Sequence, residues 1–529
     1  MLRTSMSASK PNILFLITHD VGPVYGCYGR AGIHTPHIDA LADESLVFDS
    51  HYCHWPLCGP ARANLFTGCR PLTTQRFNNQ PFFRPFRERM GPHFASLPQH
   101  FKNQGYETSA VGFVFHDEED PPSWSMGHWR PPTSEMLEGA SIGFRDGLPA
   151  RIRGQWQGSE SLQLIRERWE RLQKEGFTPV DLEDPQVERA ARGPAVDAAP
   201  VDDRAYHGGQ VAARAVQLIR DLPNDKPFFL AAGFIDSHLP FWAPQKYWDL
   251  YDRRRLSLPA FRDLPAGSPA WAMGDSEPAQ YYTTHGYEKP WRANEDQSLE
   301  LLHGRYAVLS YFDALVGTLL SALKDTGKDS DTIVILTSDH GFHEGEHGYW
   351  GKHNLWERSL HVPLLIKPVF GDLKAIRIKG LTEHVDVYPT LCAMAGVPSP
   401  SQLQEGISLV PLLEGSADEM KSAVFAHRKP MWHDRIQAYD MAHTVRTSRY
   451  RFTRYLDASQ ELVHSELFDY AVDPEEKRNF SSATDYAAAK AEVEGLLDGL
   501  YPLGSEILAH RTNDISRDSP NHPTPSASA

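Results

Sequence analysis

The chain has 529 residues, of which 41% are hydrophobic and 23% are charged, as in an ordinary soluble globular protein. Its formal net charge at pH 7 is −15, which argues against nucleic acid as a partner because phosphate binding needs a basic surface. No apolar stretch reaches membrane-spanning length and the five cysteines do not suggest a disulfide framework, so we expect a cytoplasmic protein that binds neither membranes nor nucleic acid.

Short apolar runs alternate with helical patterns along the chain, which predicts an α/β fold with a mostly parallel central sheet between helices. Thr35 and Pro36 are typical of a helix start, with the threonine as N-cap and the proline in the first turn. Further helices are predicted over residues 209–222 and 299–323. The predicted strands are residues 13–17, 106–111, 228–232 and 332–337.

The domain organisation is predicted from changes in composition. Residues 1–398 form the main α/β domain, interrupted at about residues 117–203 by a segment rich in Pro, Gly, Trp and charge. We interpret this segment as a surface insertion, of the irregular kind that often supplies binding loops. Residues 399–511 are assigned to a smaller C-terminal α+β subdomain, and residues 512–529 to a disordered tail.

Two of the predicted strands end in the same kinds of side chain. His19 and Asp20 follow the first strand, and Asp339 and His340 follow the strand at 332–337. Ligands bind at the carboxyl ends of parallel strands, so the four side chains converge if these strands are neighbours. Two carboxylates and two imidazoles brought together would bind a divalent metal. Taken alone, either pair could equally be a helix cap or a polar loop.

Cys58 lies just before a predicted helix start, because Pro60 favours the first helical turn. The helix dipole favours an anion at such a position, which would suit a reactive thiolate. A small buried hydrophobic residue is the alternative interpretation of a single cysteine.

Cys58, Pro60 and Arg62, followed by Thr67 and Gly68, resemble the Cys-x-Pro-x-Arg motif of the sulfatase family, within the alkaline phosphatase superfamily. The resemblance spans roughly residues 10–480 and is nearest to the iduronate-2-sulfatase-like branch. The other matching segments are Tyr28-Gly29, 35–41, 228–231, 238–241, Asp339-His340-Gly341, 345–348, Gly351-Lys352, 361–364, 466–469, Asp473-Pro474 and Asn479.

The resemblance implies an alkaline-phosphatase-like fold and the metal-dependent hydrolysis of a small anionic sulfate ester, such as a sulfated carbohydrate. It implies that Cys58 is oxidised to formylglycine, through transient binding of a formylglycine-generating enzyme, and then acts as nucleophile. By similarity, Arg62 would hold the modified side chain, and His116 would help to break down the covalent intermediate. His238 and Lys352 would bind sulfate oxygens and assist the leaving group. The metal ligands implied by the resemblance are His19, Asp20, Cys58, Asp339 and His340.

The sequence departs from the family pattern at three positions. His19 stands where a carboxylate is usual, and imidazole suits Mn or Zn, whereas Ca prefers oxygen ligands, so one divalent Ca, Mn or Zn ion is expected. Phe113 stands where the family has a lysine that contributes a cation for the sulfate. Cys69 replaces an arginine, and Arg70 beside it is the candidate substitute.

Two other functions remain open from the sequence. One is a phosphodiester or phosphonate monoester hydrolase that uses the same formylglycine, because both substrates are tetrahedral anions. The other is a non-catalytic binding protein on a sulfatase scaffold, which the departures at His19 and Phe113 would suit. His343 and His347 flank the expected metal loop and are interpreted as structural or supporting residues. The sequence leaves the oligomeric state open.

Overall fold

The computed structural model describes residues 10–91, 93–116, 118–131, 144–274, 276–278, 293–369, 376–400, 404–430 and 438–502. The predicted disordered tail at 512–529 and part of the predicted insertion lie outside these ranges.

Eight strands form the central sheet, in the spatial order β8-β2-β7-β6-β1-β5-β3-β4. β1 is parallel to both of its neighbours, β6 and β5, and β3 continues the parallel arrangement with β5 and β4. Only β7 is antiparallel to the strands beside it within this sheet, which confirms the mostly parallel prediction. The strands are β1 (Asn12–Thr18), β2 (Leu46–Phe48), β3 (Glu107–Gly112), β4 (His128–Trp129), β5 (Phe228–Gly233), β6 (Thr332–Ser338), β7 (Leu364–Lys367) and β8 (Ile376–Ile378).

The central strands are apolar along their whole length because helices cover both faces of the sheet. Leu14 and Leu16 of β1 enter one hydrophobic cluster, and Ile13, Phe15 and Ile17 enter the other. All five side chains are fully buried. This explains why the strand has no alternation of polar and apolar residues in its sequence.

Ten helices of at least two turns accompany the sheet in the described residues. The longest, α8, has the length and apolar composition to cross a membrane, but 78% of its most apolar window is buried inside the fold. It packs against α1 and α7 as a core helix. The helices are α1 (Pro36–Asp43), α2 (Cys58–Thr67), α3 (Phe83–Met90), α4 (Leu97–Asn103), α5 (Ser159–Lys174), α6 (Pro185–Ala191), α7 (His207–Asp221), α8 (Glu295–Asp325), α9 (Val387–Met394) and α10 (Ala487–Leu500).

Short elements complete this part of the chain. Single-turn helices are Pro71–Thr74, Ala150–Arg153, Gln245–Trp248, Ala270–Met273, Glu357–Leu360 and Val410–Leu413. Short strands pair as Val196–Ala199 with Phe241–Pro244, His343–Glu344 with Trp350–Gly351, His51–Tyr52 with Thr382–Glu383, and Phe144–Arg145 with Leu148–Pro149.

The described part of the predicted insertion at 117–203 contains regular helices and a strand, so the expected irregularity was wrong, while its status as an insertion stays a prediction. It contains α5, α6 and the strand Val196–Ala199, which pairs with Phe241–Pro244. Ile165 and Trp169 of α5 are buried in the same cluster as Leu14 and Leu16 of β1. The segment is therefore part of the core, and its helical pattern was hidden by the many charges between its apolar residues.

A smaller antiparallel sheet forms the C-terminal part of the fold, as predicted. Its strands are β9 (Ala423–Arg428), β10 (Met441–Thr447), β11 (Tyr450–Leu456) and β12 (Leu462–Asp469), in that order. Val493 and Leu497 of α10 pack on Val445 and Phe452 of this sheet. The exact boundary near residue 399 stays a prediction.

Candidate active site

The two polar strand ends meet at one edge of the central sheet. β1 and β6 are parallel neighbours in register, with Thr18 opposite Ser338, so the residues that follow them leave the sheet together. The backbone N–H of Asp20 donates to Asp339 Oδ1 at 3.0 Å. His340 Nε2 lies 3.3 Å from Asp20 Oδ1. The four side chains predicted from the strand ends therefore converge.

Cys58 is the first residue of α2 and points its sulfur into this group. Its Sγ lies 3.2 Å from His19 Nε2 and 3.3 Å from His340 Nε2. Burial raises the pKa of the Cys58 thiol well above its usual value, although Lys352 opposes the shift. The unmodified side chain is therefore a thiol at neutral pH, and the helix terminus does not make it the thiolate that its position suggested.

Arg62 lies one turn after Cys58 and is fully buried beneath the site. Its Nε donates to Asp339 Oδ2 at 3.0 Å, and its Nη2 lies 3.0 Å from His19 Nδ1. The remaining hydrogen bonds go to backbone oxygens: Phe113 O at 2.6 Å, Val114 O at 2.8 Å and Thr18 O at 3.2 Å. The guanidinium thus joins the ends of β1, β3 and β6 to the start of α2.

The residues at the strand ends have the chemistry of a metal site. One ligand atom from each of His19, Asp20, Cys58 and Asp339 lies within 4.8 Å of the others. Asp20 Oδ1 is buried and has no hydrogen-bond partner among the described residues, so a bound cation would satisfy it. These observations fit a divalent metal, with His340 Nε2 close enough to contribute.

His19 is suited to ligation in this site. Burial lowers the pKa of His19 to about 4, despite the carboxylates of Asp339 and Asp20, so the ring is neutral at pH 7. Its Nδ1 lies 3.0 Å from both Asp339 Oδ2 and Arg62 Nη2. Its Nε2 lies 3.4 Å from Asp20 Oδ1 and 3.2 Å from Cys58 Sγ, among the other candidate ligand atoms.

Lys352 and His238 lie on the other side of Asp20. Lys352 Nζ donates to Asp20 Oδ2 at 2.6 Å, and His238 Nε2 is 3.8 Å from the same oxygen. Burial would raise the pKa of Asp20, but Lys352 and the imidazoles together hold it below its usual value. Burial would lower the pKa of Lys352, but Asp20 holds it well above its usual value, so an ammonium is present. The His238 side chain is 31% exposed, so a substrate can reach the site beside it.

Glu277 completes this side of the site and was missed by sequence reasoning. Its Oε1 lies 3.4 Å from Lys352 Nζ, and it forms a second possible ligand group with Asp20 and His238. Burial raises the pKa of Glu277 to about 7, and neither carboxyl oxygen has a hydrogen-bond partner among the described residues. No motif surrounds Glu277, so only the folded chain reveals its position.

Phe113 fills the position where the resemblance implies a lysine. Its ring centroid is 5.1 Å from that of His19 and 5.2 Å from that of His116. The Cζ atom of Arg62 lies 4.8 Å from the ring centroid of Phe113. The ring of Phe113 therefore lies between His116 and His19, and His116 is separated from the metal-ligand candidates by that ring.

The remaining candidate residues serve the surrounding structure. Arg70 donates both Nη groups to Glu383, at 2.7 and 2.6 Å, so it does not supply the cation that we considered for it. His343 Nε2 lies 3.2 Å from Asn354 Oδ1, and His347 Nε2 lies 3.0 Å from Glu475 O. These contacts suit the supporting roles predicted for the two histidines.

The chain is similar to known sulfatases. The family model described as Sulfatase matches residues 11–397, and one described as N-sulphoglucosamine sulphohydrolase, C-terminal, matches residues 345–501. The chain is similar to iduronate 2-sulfatase of Homo sapiens, with 28% identity over 507 residues that cover 84% of each chain.

Two solved structures have a similar fold. One is of a protein in complex with its substrate D-glucosamine-2-N,6-O-disulfate, with a TM-score of 0.69 and 19% identity, covering 93% of this chain and 97% of that chain. The other is phosphonate monoester hydrolase of Agrobacterium radiobacter, with a TM-score of 0.68 and 22% identity, covering 93% and 95%. At these identities the likeness establishes the fold alone.

Proposed function

This chain belongs to the sulfatase family, and from that premise we propose that it hydrolyses the sulfate ester of a sulfated carbohydrate or a related small molecule. Sulfatases are sulfuric ester hydrolases, so the reaction class follows from the family. The sugar substrate is supported by the names of its relatives, one an iduronate 2-sulfatase and one a structural neighbour bound to a glucosamine disulfate.

The observation that carries the proposal is the position of Cys58. Its Sγ lies within 3.3 Å of two imidazole nitrogens, His19 Nε2 and His340 Nε2, at the edge of the sheet where Asp20 and Asp339 also converge. Ester hydrolysis by a metal-activated nucleophile requires the nucleophile to lie beside the metal ligands, as Cys58 does here.

We propose that Cys58 is converted to formylglycine and that a divalent cation binds His19, Asp20, Asp339 and His340 beside it. When present, the cation would supply Lewis-acid polarisation, and the hydrated aldehyde would supply the attacking hydroxyl. Arg62 holds the carboxylate of the proposed ligand Asp339 in place, because its Nε donates to Asp339 Oδ2 at 3.0 Å. The two neutral imidazoles favour Mn or Zn over Ca in this site.

Lys352 and His238 are the proposed contacts for the sulfate group. The ammonium of Lys352 is buried and would stabilise the negative charge on the sulfate oxygens strongly, because little water screens it. His238 stands at the exposed side of the site, with Nδ1 held by Leu239 O at 2.5 Å, so its Nε2 can face the bridging oxygen of the ester. Burial lowers the pKa of His238 to about 3 and its Nδ1 donates to Leu239 O, so its Nε2 carries no proton. We propose that the ammonium of Lys352 protonates the departing alcohol and that His238 orients the ester.

The test is turnover of four matched aryl esters by protein loaded in turn with Mn, Zn or Ca: a sulfate, a phosphate monoester, a phosphate diester and a phosphonate monoester. We expect the sulfate to be preferred, and Cys58→Ala to lose more than about 10³-fold of the rate because the nucleophile is absent. Intact-mass measurement of the peptide containing residue 58 is expected to show the aldehyde. A strong preference for the diester or phosphonate would contradict the proposal, and an unmodified thiol without any turnover would favour a binding protein.

A further inference from the structure

Arg305 is a fully buried guanidinium that contacts the loops of the candidate active site from behind. It lies in α8 and donates from Nε to Glu344 Oε1 at 2.7 Å, from Nη1 to Ser237 O at 2.7 Å and from Nη2 to Asp20 O at 2.5 Å. Three loops, which follow β1, β5 and β6, are thereby joined by one side chain. A planar guanidinium spreads its donors over three nitrogens in a fixed fork, whereas a lysine ammonium has its three donors on one nitrogen.

The backbone of Asp20 requires such support. Its φ angle is 58°, in the left-handed region that non-glycine residues rarely occupy. Its carbonyl is held by Arg305 and its N–H by Asp339 Oδ1, at 3.0 Å. These two hydrogen bonds fix the conformation that directs the Asp20 carboxylate toward His19 and His340.

Ser237 extends the same support to the neighbouring residues. Its carbonyl accepts from Arg305, its hydroxyl donates to His19 O, and its Oγ lies 3.0 Å from Thr18 Oγ1. Ser237 directly precedes His238, so the position of that imidazole depends on the same carbonyl. Both His19 and His238 are therefore tied to Arg305 through Ser237.

The charge of Arg305 is anchored on the side away from the metal ligands. Glu344 is buried and also accepts from Arg30 Nη2 at 3.0 Å, so two arginines share one carboxylate. The Cζ atom of Arg305 lies 5.5 Å from the ring centroid of Phe241 and 5.3 Å from that of Phe342. The rings of Phe241 and Phe342 and the ion pair with Glu344 thus hold the guanidinium in the position from which it donates to the two carbonyls.

We propose that Arg305 is a positioning residue that sets the backbone of Asp20 and Ser237 and thereby the affinity of the site for its divalent metal. The inference rests on the proposed metal site but not on turnover of any ester. Residues that orient metal ligands typically change metal affinity by about 10–100-fold when they are replaced. A purely structural arginine would change thermal stability without changing metal affinity.

The experiment measures the Kd for Mn²⁺ by titration calorimetry on chelator-treated protein, together with the melting temperature. Arg305→Met is expected to raise the Mn²⁺ Kd by about 10–100-fold, with a smaller rise for Arg305→Lys, which keeps the charge but not the fork. Arg454→Met is the matched control. Arg454 is also fully buried and binds one carboxylate, of Asp498, and one carbonyl, of Tyr501, in the C-terminal part of the fold. The control is expected to lower the melting temperature and leave the Mn²⁺ Kd unchanged.

An unchanged Mn²⁺ Kd in folded Arg305→Met would overturn the inference. If that variant does not fold, Glu344→Gln replaces it, because it leaves the guanidinium in place and weakens its anchor, together with the ion pair to Arg30. A raised Kd in Glu344→Gln supports the inference and an unchanged one overturns it. Wild-type protein that binds no Mn²⁺ would overturn the inference together with the metal site, whereas Mn²⁺ binding without ester turnover would contradict only the proposed reaction.

Discussion

Phe113 places an uncharged aromatic ring beside the histidines of the candidate active site. Its ring is 9% exposed and lies between the rings of His19 and His116, over the guanidinium of Arg62. The resemblance implies a lysine at this position, so the site has one cation fewer than the family pattern. In the described part of the chain, the ammonium of Lys352 is the charged donor nearest to Asp20 on the substrate side.

We predict that Phe113→Lys tightens the binding of inorganic sulfate. A hydrogen bond from a charged donor contributes about 1.5–3 kcal/mol, so the inhibition constant for sulfate should fall by roughly tenfold or more. Phe113→Met is the control, because it removes the ring without adding a charge and so measures the cost of the lost packing. Equal sulfate inhibition constants for the two variants would show that this position does not face the anion.

Single residues could be predicted from the sequence where a strand end or a motif marked them. His19, Asp20, Asp339 and His340 were found because each pair follows an apolar run, and parallel neighbours bring such ends together. Glu277 and Arg305 could not be found in this way. Arg305 lies within a long helical pattern and Glu277 in a polar segment without a motif. The partners of each are distant in sequence, such as Lys352 for Glu277 and Ser237 for Arg305.

At the scale of elements, the start of α1 was predicted at the correct residue, but the residue predicted to cap it was wrong. The helix begins at Pro36 as predicted, but the Thr35 side chain makes no capping hydrogen bond. Asp313 of α8 caps it instead, with Oδ1 accepting from Ile38 N at 2.7 Å and Oδ2 from His37 N at 3.3 Å. A cap supplied by another helix cannot be recognised from the local sequence.

We predict that Asp313→Ala destabilises the protein by about 1–3 kcal/mol, because the N–H groups of the buried Ile38 and of His37 lose their acceptor. The free energy of unfolding in urea measures the effect. Asp325→Ala, an exposed position near the end of the same helix, should stay within about 0.5 kcal/mol of the wild type. If both variants lose equal stability, the cap is not the cause.

The same limit applies to α5, which was overlooked as a helix. Ile165, Trp169 and Leu172 follow helical spacing, but Glu and Arg residues occupy most of the positions between them. The burial of these three side chains in the same hydrophobic cluster as Leu14 and Leu16 of β1 identifies the segment as a core element. The composition of the segment is dominated by the charged residues on the outer face of the helix. The apolar residues on its inner face were therefore not recognised as a helical pattern.

At the scale of the whole molecule, many histidines are buried in neutral form. His427 Nδ1 lies 2.7 Å from His443 Nδ1 in the C-terminal sheet, and His54 Nδ1 lies 2.9 Å from Phe425 O nearby. Burial lowers the pKa of His443 and of His54 to about 3, and that of His427 well below its usual value. All three lie outside the proposed metal ligands.

These histidines make the folded state sensitive to acid. In the unfolded chain a histidine takes up a proton near its ordinary pKa of 6.5, whereas the buried rings stay neutral until far lower pH. The unfolded state therefore binds more protons below about pH 6.5, and stability falls as the pH decreases, by about 1.4 kcal/mol per pH unit for each such group. The loss begins near the unfolded pKa and continues to the folded values near 3.

We predict that His443→Asn reduces this acid sensitivity, although it lowers stability at neutral pH through lost packing against Tyr501. The asparagine amide can keep the hydrogen bond to His427 Nδ1 and does not titrate. Between about pH 7.5 and pH 5, the loss of unfolding free energy should be about 2 kcal/mol smaller than in the wild type. His34→Gln, at an exposed position, should leave the pH dependence unchanged. If urea unfolding gives His443→Asn the same slope as the wild type, proton uptake by the buried pair does not contribute to acid unfolding.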